Sequence, residues 1–107
     1  MSELEITPLE MAAALKASPP PRLLDIRQPW EYDTVKLEGA QLVTQEVVDE
    51  VIQGWARDTP IVCYCHHGTR SLQATLFLRQ QGFTNVRSLR GGINAYAIEV
   101  EPTLPRY

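Results

Sequence analysis

Two spacings of apolar residues alternate along the chain. Short runs with little polar interruption, Leu23 to Ile26 and Ile61 to Tyr64, suit strands covered on both faces of a parallel sheet. Between them, Val47, Val48, Val51, Ile52 and Trp55 recur at helical spacing, with Glu46, Asp49, Glu50 and Gln53 filling the other face. The pattern predicts strands around Leu4-Glu5-Ile6, Leu23 to Ile26, Gln41-Leu42-Val43, Ile61 to Tyr64 and Asn85 to Ser88. Helices are predicted over 8–17, after Thr44, after Ser71 and through Ile93, Tyr96 and Ala97, with a short helix or turn after Pro29.

Local signals support these bounds. Thr7-Pro8-Leu9-Glu10 combines a capping hydroxyl, a proline at the first helical position and a glutamate three residues after the cap. Ser18-Pro19-Pro20-Pro21 cannot continue a helix, and Gly82 suits a left-handed helix end. Strand and helix in regular alternation imply an α/β fold, a five-stranded, mostly parallel sheet with helices on both faces. Ligands in such sheets gather at the carboxyl ends of strands. Trp30 and Tyr32 are expected as core anchors, and the helix after Ser71, with Leu72, Leu76, Ala74, Phe77 and Leu78 apolar on more than one side, is expected to pack deeply. Residues 101–107, with Pro102 and Pro105, are expected to form an extended tail that wraps the domain or simply ends it, and that could dock a partner.

The 107 residues suffice for a single domain, with a core over about 5–100, and are too few for two. A hydrophobic share of 44% with 21% charged residues is that of a folded, water-facing chain. No apolar run approaches the roughly 20 residues of a membrane span, and Met-Ser-Glu-Leu-Glu lacks the basic and apolar parts of a signal peptide. The expectation is therefore cytoplasmic, with no membrane partner. A net charge of −3 argues against broad nucleic-acid binding, which needs a basic stripe. Cys63 and Cys65 lie too close along a strand for a useful disulfide, so both are expected as free thiols.

Chemistry concentrates after the fourth strand, in Cys65-His66-His67-Gly68-Thr69-Arg70-Ser71. If His66 to Arg70 curl around the Cys65 sulfur, their N–H groups point inward and the next helix adds its positive end. A free thiol ionises near pH 8.5, and such surroundings bring it to roughly 3.5–7.5, so Cys65 should be a thiolate nucleophile at neutral pH. The same donors would steady a terminal sulfur carried on Cys65. Gly68 and Thr69 are expected to contribute N–H groups rather than side-chain chemistry, and Arg70 and Ser71 to shape the loop, with Arg70 able to meet an incoming anion. His66 and His67 are either exposed loop residues or cationic donors at the pocket rim. Cys63, deeper on the same strand, is expected to be an inert core thiol, with a resolving role as the lesser reading. Asp25 and Arg27 share one side of their strand, and Asp25 is expected to tie down loops at the sheet edge rather than to react.

That loop resembles the active-site loop of rhodanese-type sulfurtransferases, in which a cysteine, four residues and an arginine precede a helix. Leu23-Leu24-Asp25-Ile26-Arg27-Gln28-Pro29-Trp30-Glu31-Tyr32 is similar to the family's first signature, and Gly82-Phe83-Thr84-Asn85-Val86 with Leu89-Arg90-Gly91-Gly92-Ile93 to its closing one. The chain departs from common members at Val35-Lys36-Leu37-Glu38-Gly39-Ala40 and at Tyr96. The resemblance implies a rhodanese-like fold. It also implies double displacement through a Cys65 persulfide, with thiosulfate or a protein persulfide as donor and a thiol or cyanide as acceptor, and it requires no cofactor or metal. Three other readings stand beside it. One is a phosphatase of the same fold, whose cradle is one residue longer. Another is a metal site from Cys63, Cys65, His66 and His67, which sit too close together to surround an ion with ease. The third is a partner-binding or sulfur-carrier module without catalysis.

Overall fold

The computed structural model describes residues 4–107. Five strands run in the order β1-β5-β4-β2-β3, with β1 Glu5–Ile6, β2 Arg22–Asp25, β3 Gln41–Leu42, β4 Ile61–Tyr64 and β5 Val86–Leu89. Every pairing among the described residues is parallel, so the sheet is more uniform than the mostly parallel one expected. Helices α1 Pro8–Ala14, α2 Pro29–Thr34, α3 Gln45–Gly54 and α4 Thr69–Gln80 make the connections, and α5 Gly92–Glu99 follows the last strand.

Alternation along the strands separates two cores. Leu23, Val62, Tyr64 and Leu89 pack with Met11 of α1 and Ile93 and Tyr96 of α5, while Leu24, Ile61, Cys63 and Val86 pack with Val51 of α3 and Leu78 of α4. A period of two places successive side chains on opposite faces, so each central strand serves both layers. Its inward side chains each contribute about 1.5–3 kcal/mol when fully buried.

Local chemistry explains the helix ends. Thr7 accepts from Glu10 N–H while the Glu10 carboxylate accepts from Thr7 N–H, the reciprocal cap that the sequence predicts and one worth about 1 kcal/mol. α1 stops at Ala14 rather than running to residue 17, because Lys16 and Ala17 already donate to carbonyls three residues back in a tightening turn. Thr44 caps α3 through Val47 N–H. At the end of α4, Gly82 takes a φ of +98° and Phe83 N–H returns to Leu78.

Two packing expectations fail. Trp30 is 60% exposed rather than a core anchor, because α2 turns Glu31 inward instead; Tyr32 is half-buried and its hydroxyl donates to the Ala40 carbonyl. In α4 the buried positions are Ser71, Thr75 and Leu78, while Leu76 and Phe77 are 38% and 42% exposed. Of its large side chains it is Leu78 that enters the core, beside Val86 and Phe83, while Ser71 turns toward the sulfur-bearing loop. The expected extended tail is interrupted by a turn over residues 102–104, and Leu104 and Tyr107 pack against the Tyr64 core.

Candidate active site

Buried strand β4 delivers Cys65 to the carboxyl edge of the sheet, at the mouth of α4. Gly68, with φ +106°, reverses the loop, and its N–H donates to Cys65 Sγ at 3.1 Å. Ser71 N–H donates to the same sulfur at 3.4 Å, and the Arg70 amide adds a third backbone donor. Three amides thus face the sulfur, fewer than the continuous run from His66 that the sequence suggests. Thr69 opens α4, whose positive end stands over the thiol.

Ser71 Oγ lies 3.4 Å from Cys65 Sγ and 2.8 Å from Ser88 Oγ. A hydroxyl has one proton to give. Ser71 Oγ also lies 3.2 Å from the Gly68 carbonyl oxygen, so even when Ser88 donates to Ser71 the Ser71 proton is shared between that carbonyl and the ionised sulfur. Burial opposes ionisation of Cys65, yet the Ser71 hydroxyl and the amides of Ser71, Gly68 and Arg70 together outweigh it and hold the thiol pKa below its ordinary value. Cys63, fully buried on β4 with only the Thr75 side chain favouring its ionised form, is pushed up to about 12 by burial. Both cysteines are free.

The loop is held from below by α5. Ile93 N–H donates to the Cys65 carbonyl at 2.9 Å and Asn94 N–H to the His66 carbonyl at 3.1 Å. Such close approach requires glycine at residue 92, where a Cβ would stand 2.5 Å from the Cys65 oxygen and closer still to that of His66.

Around this cradle lie two ion pairs. Arg27 donates to both Asp25 oxygens, at 2.8 and 2.6 Å, and to the Val35 carbonyl, entirely within the core. Asp25 thus anchors the chain at the β2 edge. Arg70 does not point at an open anion site, because both terminal nitrogens meet the Glu31 carboxylate, at 2.7 and 3.0 Å. The Arg70 pair, above all, holds the Glu31 carboxyl at about 2, well below the usual carboxylate range, despite its burial.

His66 is half-buried and stacked between His67 and Tyr107, with ring centroids 4.1 Å apart on either side. Burial first, and the neighbouring His67 second, lower its pKa, which argues against a cationic His66 near neutral pH. His67 and Thr69 stand exposed. Among the described residues, no group of three His, Cys, Asp or Glu is placed to hold a metal ion, and no helix is long and apolar enough to cross a membrane.

Glu31, Ser88 and Tyr107 belong to this neighbourhood without having been singled out from the sequence. Glu31 carried two signals, its place in the signature-like run Leu23 to Tyr32 and its position three residues after the helix-capping Gln28, whose N–H it accepts. Ser88 and Tyr107 carried none, since only tertiary packing brings them near the loop.

The family profile for the rhodanese-like domain matches residues 7–99. The chain is 34% identical over 104 residues to a probable adenylyltransferase/sulfurtransferase MoeZ of Mycobacterium tuberculosis, covering 95% of this chain and 26% of that protein. The chain therefore spans about a quarter of the first curated relatives it matches. It is also 34% identical over 96 residues to thiosulfate sulfurtransferase GlpE of Pseudomonas fluorescens, covering 90% of this chain and 87% of the relative. Among solved structures, the human single-domain sulfurtransferase TSTD1 superposes with a TM-score of 0.77 over 90% of this chain and 96% of that one, at 23% identity, a likeness of fold.

Proposed function

The chain belongs to the rhodanese-like domain family, and on that premise we propose that it is a sulfurtransferase in which Cys65 carries the transferred sulfur. The Cys65 thiolate attacks the outer sulfur of thiosulfate. A bond forms between Sγ and that sulfur, the sulfur–sulfur bond of the donor breaks, and sulfite leaves with the electron pair. The persulfide anion left on Cys65 is then attacked at its terminal sulfur by a thiophile such as cyanide or a thiol, which restores the thiolate.

One observation carries this reading: three amides and one hydroxyl converge on Cys65 Sγ at the mouth of α4, and they outweigh the cost of its burial. Donors so placed favour a compact soft anion, thiolate or persulfide. The four-residue spacing to Arg70, whose guanidinium is matched by Glu31, fits one sulfur better than a whole phosphate group. Thiosulfate as donor is supported by the GlpE relative, whose length this chain nearly spans.

Mass spectrometry of the protein before and after thiosulfate tests it. The expected result is a gain of one sulfur on the Cys65 peptide, removed by dithiothreitol and missing in Cys65→Ser. Sulfur retained by the Cys65→Ser protein would place the nucleophile elsewhere.

A further inference from the structure

Cys65 is only 1% exposed, although His67, Thr69 and Arg70 beside it face solvent. Tyr107 reaches across the same end of the sheet. Its hydroxyl accepts from Arg27 Nη1 at 2.9 Å, beyond the end of β2, and donates to Glu31 Oε2 at 2.7 Å on α2. The ring stacks on His66 at 4.1 Å and 18°, on the loop after β4, and meets Trp30 edge-on at 5.5 Å. One side chain therefore ties the chain after β2, helix α2 and the loop after β4 together, beside the residue that follows the thiol.

We propose that Tyr107 is a specificity-determining residue that narrows the approach to Cys65, so that a small anionic donor reaches the sulfur while a bulky one must first displace the ring. The proposal rests on the sulfurtransferase reading, and the chemistry of the latch favours it. Both hydrogen bonds of the hydroxyl go to charged partners, one of them in the buried Asp25–Arg27 pair, and such bonds are stronger than neutral ones. The segment carrying the ring has no regular structure after α5; its backbone bonds run to Tyr96 and within the turn at Glu101. Opening thus means releasing two hydrogen bonds and a stacked ring, with no helix or strand to break.

The test measures Cys65 alkylation by iodoacetamide and by a maleimide on polyethylene glycol in the full chain, with Cys63 and Cys65 separated by chymotryptic cleavage after Tyr64 and each followed by peptide mass. Both reagents need the thiolate, so their rate ratio cancels any change in Cys65 ionisation. Tyr107→Ala, which removes both hydrogen bonds and the stack, should raise the ratio of bulky to small reagent by more than about tenfold, the least that losing a hydrogen bond to a charged group gives an opening step. Tyr107→Phe, which keeps the stack and loses both bonds, should raise it less. Labelling of buried Cys63 would reveal unfolding, in which case Tyr107→Phe decides. An unchanged ratio in the folded variants overturns the proposal. Thiosulfate loading of the unsubstituted protein keeps the two ideas apart: failure to load removes the sulfurtransferase reading, whereas normal loading with an unchanged ratio removes only the role of Tyr107.

Discussion

The N–H of Ile93 donates to the carbonyl of Cys65 at 2.9 Å, so the peptide bearing the sulfur is fastened to the first turn of α5. Two elements hold the cradle in this way. α4 supplies donors to the thiol, and α5 supplies donors to the carbonyls behind it, which leaves the loop little freedom to turn its amides away.

Gly92→Ala should therefore be among the costliest single changes in the chain. Its φ of +66° disfavours any side chain, and the new Cβ would collide with the backbone of Cys65 and His66. Gly39, with φ +83° and no atom within 4 Å of where a Cβ would stand, supplies the control. Gly39→Ala should cost about 1–2 kcal/mol for conformation alone, and Gly92→Ala clearly more. Urea midpoints measure both, and equal losses would mean that the contact with the loop is unimportant.

Ser71→Ala removes the hydroxyl that helps hold the Cys65 thiolate. Since a hydrogen bond to the charged form lowers a thiol's pKa, losing it raises the pKa and leaves less thiolate near neutrality. The rate of iodoacetamide reaction at pH 7 should fall by about tenfold, and its pH profile should move toward alkaline values. A profile shifted the other way would show that burial, not the hydroxyl, governs this sulfur.

Acid should loosen the site through Glu31. Its folded pKa of about 2 lies below the ordinary 4.5, so the stability it contributes is complete above 4.5 and is lost as pH falls toward 2. Glu31→Gln should cost only about 1 kcal/mol at pH 7, because the Arg70 side chain is 43% exposed and water screens the pair. The variant's stability should then fall less steeply over that acid range. Identical slopes for the two proteins, from urea unfolding at stepped pH, would remove Glu31 from the account.

Cys63→Ala should leave sulfur loading on Cys65 intact. The buried thiol, held at about 12, supplies almost no thiolate to resolve a persulfide. The small void should cost about 1–2 kcal/mol in stability. A persulfide on Cys65 that becomes markedly longer-lived in this variant would restore the resolving role.

Element type and order were legible in the chain because they depend on local chemistry: the alternating runs, the cap at Thr7, the stop at Gly82, and the Cys65-to-Ser71 loop between a strand and a helix. Which side chains turn inward was legible only where a clean stripe existed, as in α3. It failed at Trp30, since a six-residue helix has room for one buried position and Glu31 takes it to meet Arg70. What the sequence by itself determined was the sulfur-bearing loop and the parallel scaffold beneath it, because both follow from residues close together in the chain. Tertiary structure alone decided the partners of that loop: Glu31 lies 39 residues from Arg70, Ser88 lies 17 from Ser71, and Tyr107 lies 80 from Arg27. Pairings over such distances arise from the crossovers of the sheet, which local spacing does not encode.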